Sequence, residues 1–369
     1  MRTKSFLALL IVLLSFSCKN QKEKQQSKEV VLSGKAQVFG FHPYWVNGET
    51  YTKYNYSCLS AISYFSAELD PRTGLIDTNK LEDARALFQL ARGSGCQLYL
   101  TVSNFGKEKH RVFLKSPEAQ LKFIEVVSEF LSTREFDGLT IDFDAIPGDL
   151  SKEFTWFIKS VSDELNVQNK SIVLALPGMD TTHSYDILVL EQYVTSYVVG
   201  KNGYSGDWRS TAGAVAPLRA KAAHGISLER IVDNYLNIGI PKSKLILALP
   251  YYGSLWKIPR DAADTTQPQF VEHLSYKTIR SIHPNTPSYD SITETAYLTV
   301  NDTTQIWFDD PVTLSKKYDY INEIGLAGVA IWALGYDEGY TELWDVLCNT
   351  FMRADTLVVS VNETSSIDQ

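Results

Sequence analysis

Eight short runs of β-branched and aliphatic residues recur along this chain and alternate with segments of helical periodicity. The runs cover residues 38–44, 59–66, 97–103, 138–144, 171–177, 196–201, 244–250 and 327–333. Helix start signals lie between them, as where Ser116 and Pro117 precede one apolar stripe and Ser227 precedes another. The alternation predicts an α/β fold in which eight parallel strands and their helices close into a (β/α)8 TIM barrel. A doubly wound open sheet is the competing fold, but no glycine-rich phosphate loop follows the first run.

The gap between the seventh and eighth runs is too long for a single helix. It contains a helical pattern near residues 273–282 and two strand-like runs, 295–300 and 304–308, on either side of Asn301 and Asp302. Asn and Asp favour tight turns, so these two runs predict a β-hairpin. We therefore expect residues 253–310 to form a small α+β insertion on the C-terminal face of the barrel.

Composition limits the classes of partner. The chain of 369 residues carries a net charge of −8, which argues against nucleic acid as a partner. Its seven tryptophans and twenty tyrosines suit stacking on sugar rings but equally suit a large core. The histidines are scattered and no Cys or His cluster has the spacing of metal ligands, so we expect no metal and no other cofactor. We expect a monomer.

The N-terminus has the layout of a secretory signal. Arg2 and Lys4 precede an apolar stretch over residues 6–14 that is too short to span a bilayer, and small residues lead to Cys18. This layout resembles a bacterial lipoprotein signal, in which the cysteine becomes the acylated first residue of the mature chain. The alternative is a plain signal peptide with an incidental cysteine.

This interpretation divides the chain. We expect a lipoprotein signal peptide over residues 1–17, a lipidated polar tether over 18–35, the barrel over 36–352 and a disordered tail over 353–369. The lipid would be the only membrane attachment, which places the protein in the cell envelope, at the outer membrane, with the leaflet left open.

Three cysteines remain once Cys18 is assigned to lipid. An odd count does not describe a framework of disulfides. Cys58 and Cys96 each precede a strand-like run, and we expect both to be small buried apolar residues. The state of Cys348 stays open.

The fourth run ends in two carboxylates. Residues two apart on a strand share a face, so Thr140, Asp142 and Asp144 point together toward the mouth of the predicted barrel. Inward carboxylates there are costly unless they are bound or hydrogen-bonded, and barrel enzymes keep their sites at that end. The alternative is a buried polar network that only closes the end of the barrel.

Several stretches together resemble glycoside hydrolase family 18, the chitinase family, over essentially the whole domain. The fourth run reads Phe136-Asp137-Gly138-Leu139-Thr140-Ile141-Asp142-Phe143-Asp144, close to the signature D-G-x-D-x-D-x-E. Similar stretches lie at residues 39–45, 247–253, 307–311 and 328–335. The resemblance implies substrate-assisted glycoside hydrolysis, in which the last acid of the signature protonates the glycosidic oxygen and the N-acetyl group of the substrate attacks the anomeric carbon.

The resemblance also assigns roles, with three departures. Asp137 is the first Asp of the signature and is counted with Asp142 and Asp144 in the catalytic set; Asp142 orients the acetamido group and Trp332 forms the sugar platform. The middle Asp is replaced by Thr140, which is counted among the substrate-binding residues, and the general-acid Glu is replaced by Asp144. Asp is one methylene shorter than Glu, and a misplacement of roughly 1 Å can cost about 10²-fold in rate.

The third departure follows the sixth run. Lys201, beside Asn202, occupies the position of a Tyr that helps to hold the acetamido group in the family, and we count both among the substrate-binding residues. A nearby lysine lowers the pKa of a carboxyl group, which disfavours the protonated form that a general acid needs.

Aromatic residues follow the first and seventh runs. Of Phe41, Tyr44 and Trp45, we expect at least one to line the cleft, with core packing the default for the others. Tyr251 and Tyr252 lead into the insertion, at a position suited to stacking on sugar rings.

These features favour a lipid-anchored, family-18-like protein that recognises an N-acetylglucosamine-containing β-1,4 glycan, of chitin or peptidoglycan type, with hydrolysis weak or lost. The alternative is an active retaining glycosidase in which backbone adjustment brings Asp144 into reach. A second alternative is a barrel that serves only as an interaction platform for other envelope proteins.

Overall fold

The structure, a computed structural model, describes residues 36–46, 48–200, 211–221, 225–260 and 266–351. In chain order the strands are β1 (Gln37–Pro43), β2 (Ala61–Leu69), β3 (Ile76–Asp77), β4 (Gln97–Phe105), β5 (Gly138–Asp144), β6 (Ser171–Leu176), β7 (Ser196–Val199), β8 (Leu245–Pro250), β9 (Tyr252–Lys257), β10 (Gln269–Ser275), β11 (Ser288–Asp290), β12 (Thr295–Asn301), β13 (Thr304–Phe308) and β14 (Gly328–Trp332). The helices are α1 (Arg85–Gly93), α2 (Lys107–Leu114), α3 (Pro117–Thr133), α4 (Ser151–Val167), α5 (Ile187–Leu190), α6 (Leu228–Asn237), α7 (Tyr276–Ile282), α8 (Pro311–Ile324) and α9 (Glu342–Phe351).

Eight of these strands pair in parallel and close on themselves. The order β1-β2-β4-β5-β6-β7-β8-β14 returns to β1, which pairs with both β2 and β14. One face of each strand fills the inside of the barrel and the other packs under helices, which explains why the runs are apolar on both faces. The predicted (β/α)8 fold is confirmed, and the observed strands follow the predicted runs closely.

Local signals in the sequence position the helices. Ser116 accepts a hydrogen bond from the Ala119 amide at 3.2 Å and Pro117 occupies the first turn of α3. At α8, Asp310 and Thr313 cap each other's backbone, and Gly325 ends the helix in the left-handed conformation with φ +74°. These caps set where each helix leaves the barrel and where the next strand begins.

The outer face of β5 is anchored by aromatic packing. Phe143, between the two carboxylates of that strand, is fully buried, and its ring stacks on Phe157 of α4 with centroids 5.8 Å apart. Burial of such a ring contributes roughly 1.5–3 kcal/mol. Because neighbouring residues on a strand point to opposite faces, fixing Phe143 outward holds Asp142 and Asp144 inward.

The insertion between β8 and β14 has the predicted extent but contains more strands than its sequence suggested. It forms an antiparallel sheet in the order β10-β9-β13-β12-β11, together with α7. β12 and β13 form the predicted hairpin. The predicted helix begins at Tyr276, because His273 lies in β10 and pairs with Ser254 of β9. β10 is mostly exposed and mixed in polarity, so it lacks the alternation that identifies a strand in sequence.

Cys58 is buried as expected, but the expectation that it is unpaired was wrong. Cys58 forms a disulfide with Cys348, with 5.3 Å between their Cα atoms. The two residues are 290 positions apart, and they meet only because barrel closure places the turn before β2 beside α9. Cys96 is a free, buried thiol that donates to the carbonyl of Leu59, as expected of a small buried side chain.

None of the helices in the described ranges combines the length and apolar character that crossing a bilayer requires.

Candidate active site

β5 brings the two carboxylates to the carboxyl end of the barrel. Its register with β4 sets Asp142 opposite Ser103 and Asp144 opposite Phe105. Asp142 is 3% exposed, whereas Asp144, the last residue of the strand, is half-buried. A buried carboxylate is stable only with hydrogen-bonding or charged neighbours. Asp142 therefore has the fixed, sheltered setting of an orienting group, and Asp144 has the access to solvent that proton transfer needs.

Three hydroxyl groups form a layer inside the barrel, at the level of Thr140, the inward-facing residue that precedes Asp142 on β5. Ser63 Oγ lies 2.7 Å from Thr101 Oγ1 and 2.9 Å from Thr140 Oγ1, and all three residues are fully buried. Thr140 is therefore a hydrogen-bonded core hydroxyl, and the expectation that it contacts substrate was wrong because its side chain is fully buried. The layer is uncharged, so it supplies no negative charge beneath Asp142.

The backbone around Asp144 is held by side chains from two other segments. Tyr185 donates to the carbonyl of Phe143 at 2.9 Å, and His110 Nε2 donates to the carbonyl of Asp144. Two residues further, Ser184 donates to the carbonyl of Ile146. Burial and nearby carboxylates raise the pKa of Tyr185 well above its usual value, which keeps its donating proton in place. The position of the Asp144 main chain is thus set from outside the strand.

His110 is a neutral donor in this arrangement. It is fully buried, stacks on Phe143, and accepts a hydrogen bond at Nδ1 from the amide of Asn104 at 3.2 Å. Burial lowers the pKa of the imidazole, so the ring stays uncharged with its proton on Nε2, where it meets the Asp144 carbonyl. Arg111, the next residue, pairs with Asp149 and ties α2 to the same loop.

Trp332 lies at the mouth of the barrel, on the strand opposite β5 in the closed strand order. It ends β14, is half-buried, and contacts Phe41 at 5.5 Å and Phe65 at 4.8 Å between ring centroids. Trp45 stands 6.3 Å away and donates from Nε1 to the hydroxyl of Tyr336 at 3.1 Å. The indole of Trp332 is thus packed by three aromatic rings and remains partly exposed at the barrel mouth, which suits stacking on a sugar ring.

The remaining predicted aromatic residues divide between cleft and core. Tyr44 and Trp45 are 39% and 41% exposed at the end of β1, so they line the rim. Phe41 is fully buried and supports Trp332 from within the barrel. Tyr251 was wrongly expected to stack on sugar, since it is buried and shares a hydrogen bond with Tyr318. Tyr252 is also buried, edge-on to His273 at 4.9 Å.

Asp137 does not belong with the other two carboxylates. It precedes β5, at the opposite end of the strand, where its Oδ2 accepts the amide of Leu98 at 2.8 Å. A carboxylate at the amino end of a barrel strand stabilises the fold and is separated from the mouth by the length of the strand. Its inclusion in the catalytic set was an error, and its role is to pin β4 to β5.

Lys201 and Asn202 lie outside the described residues, as does Cys18. Within the described ranges, no group of three or more His, Cys, Asp and Glu side chains is placed to hold a metal ion.

Sequence reasoning missed the residues that support the site. Ser63, Ser103 and His110 come from β2, β4 and α2, far from β5 in the chain. One signal was available, because Thr101 and Ser103 alternate along β4 as Thr140 and Asp142 do along β5. The signal for His110 is absent, since a lone histidine in a helix indicates no partner.

Comparisons with known proteins agree with this geometry. A putative sporulation-specific glycosylase of Bacillus subtilis is 23% identical over 303 residues, which cover 76% of this chain and 67% of the relative. A class V chitinase of Lotus japonicus is 26% identical over 255 residues, 61% of this chain and 63% of the relative. The chain thus spans about two thirds of the length of these relatives.

A solved structure shares the fold. A chitinase of Cycas revoluta, crystallised in complex with (GlcNAc)4, superposes with a TM-score of 0.76 at 18% identity, over 85% of this chain and 99% of that one. The family model for glycosyl hydrolases family 18 matches residues 40–337, from β1 through the loop after β14. That range contains the barrel, the insertion and every described residue of the site, and this chain therefore belongs to glycosyl hydrolase family 18.

Proposed function

We propose that this protein is a lipid-anchored envelope protein that binds an N-acetylglucosamine-containing β-1,4 glycan at the carboxyl end of its barrel, with hydrolysis weak or lost. Membership of family 18 supports a glycan partner, and the related Cycas chitinase was crystallised with (GlcNAc)4. The partly exposed indole of Trp332 and the sheltered Asp142 are suited to holding a sugar ring and its acetamido group.

The proposal that hydrolysis is weak or lost depends on the fixed main chain at Asp144. Hydrogen bonds from Tyr185 and His110 hold the carbonyls of Phe143 and Asp144, so a shift of the backbone would break at least one buried hydrogen bond. Leaving a buried polar group unpaired costs about 1–3 kcal/mol. The missing methylene is therefore not easily recovered by backbone adjustment, and the carboxyl group stays short of the glycosidic oxygen.

The chemistry left to the site follows from this. Asp142 can still orient the acetamido group, and the nucleophile belongs to the substrate, but its attack on the anomeric carbon breaks the glycosidic bond in the same step. Departure of the leaving sugar needs a proton, and a retracted acid supplies it poorly. Binding with little turnover is the expected behaviour.

The test is Asp144→Glu, assayed by release of reducing ends from chito-oligosaccharides and peptidoglycan strands. We expect slow or no hydrolysis by the wild type and a higher rate in the variant, because Glu restores the missing methylene. Lys201→Tyr in the same chain should raise the rate further, since both changes act on one transition state. Asp163→Glu adds the same methylene to an exposed carboxylate on α4, away from the site, and should leave the rate unchanged.

Robust turnover by the wild type that falls in Asp144→Glu would refute the loss of hydrolysis. It would show that Asp144 is a positioned acid, and the alternative of an active glycosidase would then be correct. No binding of any glycan would instead favour an interaction platform.

Export and lipidation rest on two separate features. The N-terminal signal ends at Cys18, and the described domain carries a disulfide between Cys58 and Cys348. Structural disulfides persist in oxidising compartments and are rare in reducing ones. Both features support an envelope location.

A further inference from the structure

Lys80 stands over the rim of the cleft beside the sugar platform. Its Nζ lies 3.5 Å from the centroid of the Tyr44 ring, which is 39% exposed at the end of β1. The ammonium thereby covers a ring face that would otherwise be open to a neutral sugar. A cation–π contact holds the charge in place without neutralising it, because an ammonium has three donors and the ring occupies only one side.

The backbone of Lys80 is fixed as well. Tyr64 of β2 donates from its hydroxyl to the Lys80 carbonyl at 2.6 Å, and the next residue, Leu81, is buried in the core. Lys80 thus projects from an anchored turn, so less conformational entropy is lost when its side chain binds a partner.

Lys80 has no carboxylate partner among the described residues, unlike three other lysines. Lys109 pairs with Glu68, and Lys53 and Lys277 both pair with Glu338. Among the described residues, no carboxylate lies within ion-pair distance of Lys80, which faces only the Tyr44 ring. A half-buried ammonium of this kind favours an anionic group from outside the chain.

The distance to the platform is short. The ring of Trp45 lies 6.3 Å from Trp332 and 4.9 Å from Tyr44, and Lys80 is 3.5 Å beyond that ring. An oligosaccharide that stacks on Trp332 and continues past Trp45 and Tyr44 runs toward the ammonium. A carboxylate on a sugar further along the same chain can then meet Lys80 while another sugar remains on Trp332.

We propose that Lys80, held on Tyr44, selects a glycan that carries carboxylates, such as the alternating N-acetylglucosamine and N-acetylmuramic acid strand left when peptidoglycan loses its stem peptides, over neutral chitin. This inference rests on the proposed glycan-binding function and narrows its substrate class. Lys80 acts on specificity and takes no part in the chemistry at Asp142 and Asp144.

The test compares three tetrasaccharides by calorimetry on the full-length protein in detergent. They are chitotetraose, the alternating acidic tetrasaccharide, and the same acidic tetrasaccharide with its carboxyl groups reduced to alcohols. We expect the wild type to bind the acidic form about fivefold more tightly than its reduced form, the gain of one partly exposed ion pair. Raising the salt concentration to about 0.5 M should shrink that ratio.

Variants test whether Lys80 causes the preference for the acidic sugar. Lys80→Gln should bring the ratio to about one without weakening the binding of chitotetraose, whereas Lys80→Arg should keep the ratio. Lys170→Gln is the matched control, since Lys170 is also half-buried but precedes β6 at the opposite end of the barrel, and it should change nothing.

Three outcomes would overturn the inference: a wild-type ratio of one, a ratio that survives Lys80→Gln, or an equal loss of affinity for all three sugars in that variant. A wild type that binds the three sugars equally would leave the proposed function standing. A wild type that binds none of them would end both proposals.

Discussion

The disulfide between Cys58 and Cys348 makes a measurable contribution to stability. It closes a loop over 290 residues, and the chain-entropy relation gives about 5–6 kcal/mol for a loop of that length at 25 °C. Measured disulfides more often contribute about 2–4 kcal/mol, because strain and structure in the unfolded state reduce the ideal value. For an ordered domain of this size, a loss within that span lowers the melting temperature by roughly 3–9 °C.

The assay is thermal unfolding followed by circular dichroism, with and without reductant. We expect reductant to lower the midpoint of the wild type to that of the Cys58→Ser/Cys348→Ser double variant, and to leave the double variant unaffected. Cys96→Ser is the control, since its side chain still donates to Leu59 and the reductant-sensitive difference should persist.

Thiol titration of the denatured protein decides the pairing itself. Protein purified without reductant should show one free thiol among these three cysteines, that of Cys96. Three free thiols, together with a midpoint that does not respond to reductant, would refute the assignment and the stability argument built on it.

Three further changes probe the platform, the anchor and a buried carboxyl group. Trp332→Ala should weaken glycan binding by about 1–3 kcal/mol in calorimetry with little loss of fold. The control Trp156→Ala removes a 67% exposed indole on α4 and should leave the affinity unchanged. If Trp332→Ala and the wild type bind the glycan equally, the glycan binds elsewhere. Cys18→Ser should move the protein from the membrane to the soluble fraction, and a variant that remains membrane-bound would contradict lipid anchoring. Asp337 is 2% exposed, and burial raises the pKa of its carboxyl group to about 7. Between about pH 4 and 7 the carboxyl group is therefore protonated in the folded state and ionised in the unfolded state. The free energy of unfolding falls as the pH rises through that window. Asp337→Asn should remove this loss, at most about 4 kcal/mol, so that its stability relative to wild type increases from pH 5 to pH 8 in urea unfolding; a constant difference would show that Asp337 does not titrate there.

The sequence alone determined the barrel because its signals are local. The structure formed by an apolar run such as 138–144, or by a cap such as Ser116 or Asp310, depends on residues only a few positions away in the chain. Period-two alternation also sufficed to set Asp142 and Asp144 on one face. The insertion was recognised only in part, since the exposed β10 has no periodicity that distinguishes it from a loop.

Only the tertiary structure decided what surrounds those carboxylates. His110, Ser63 and Lys80 reach the site from segments whose own sequence gives no indication of a partner, because closure of the barrel brings together residues that are distant in the chain. The same closure joined Cys58 to Cys348 across 290 positions and separated Asp137 from the mouth by the length of β5. Such contacts depend on which residues are close in space, whereas periodicity and capping depend on residues that are close along the chain. The sequence therefore predicted the strands and helices but not the contacts between distant segments.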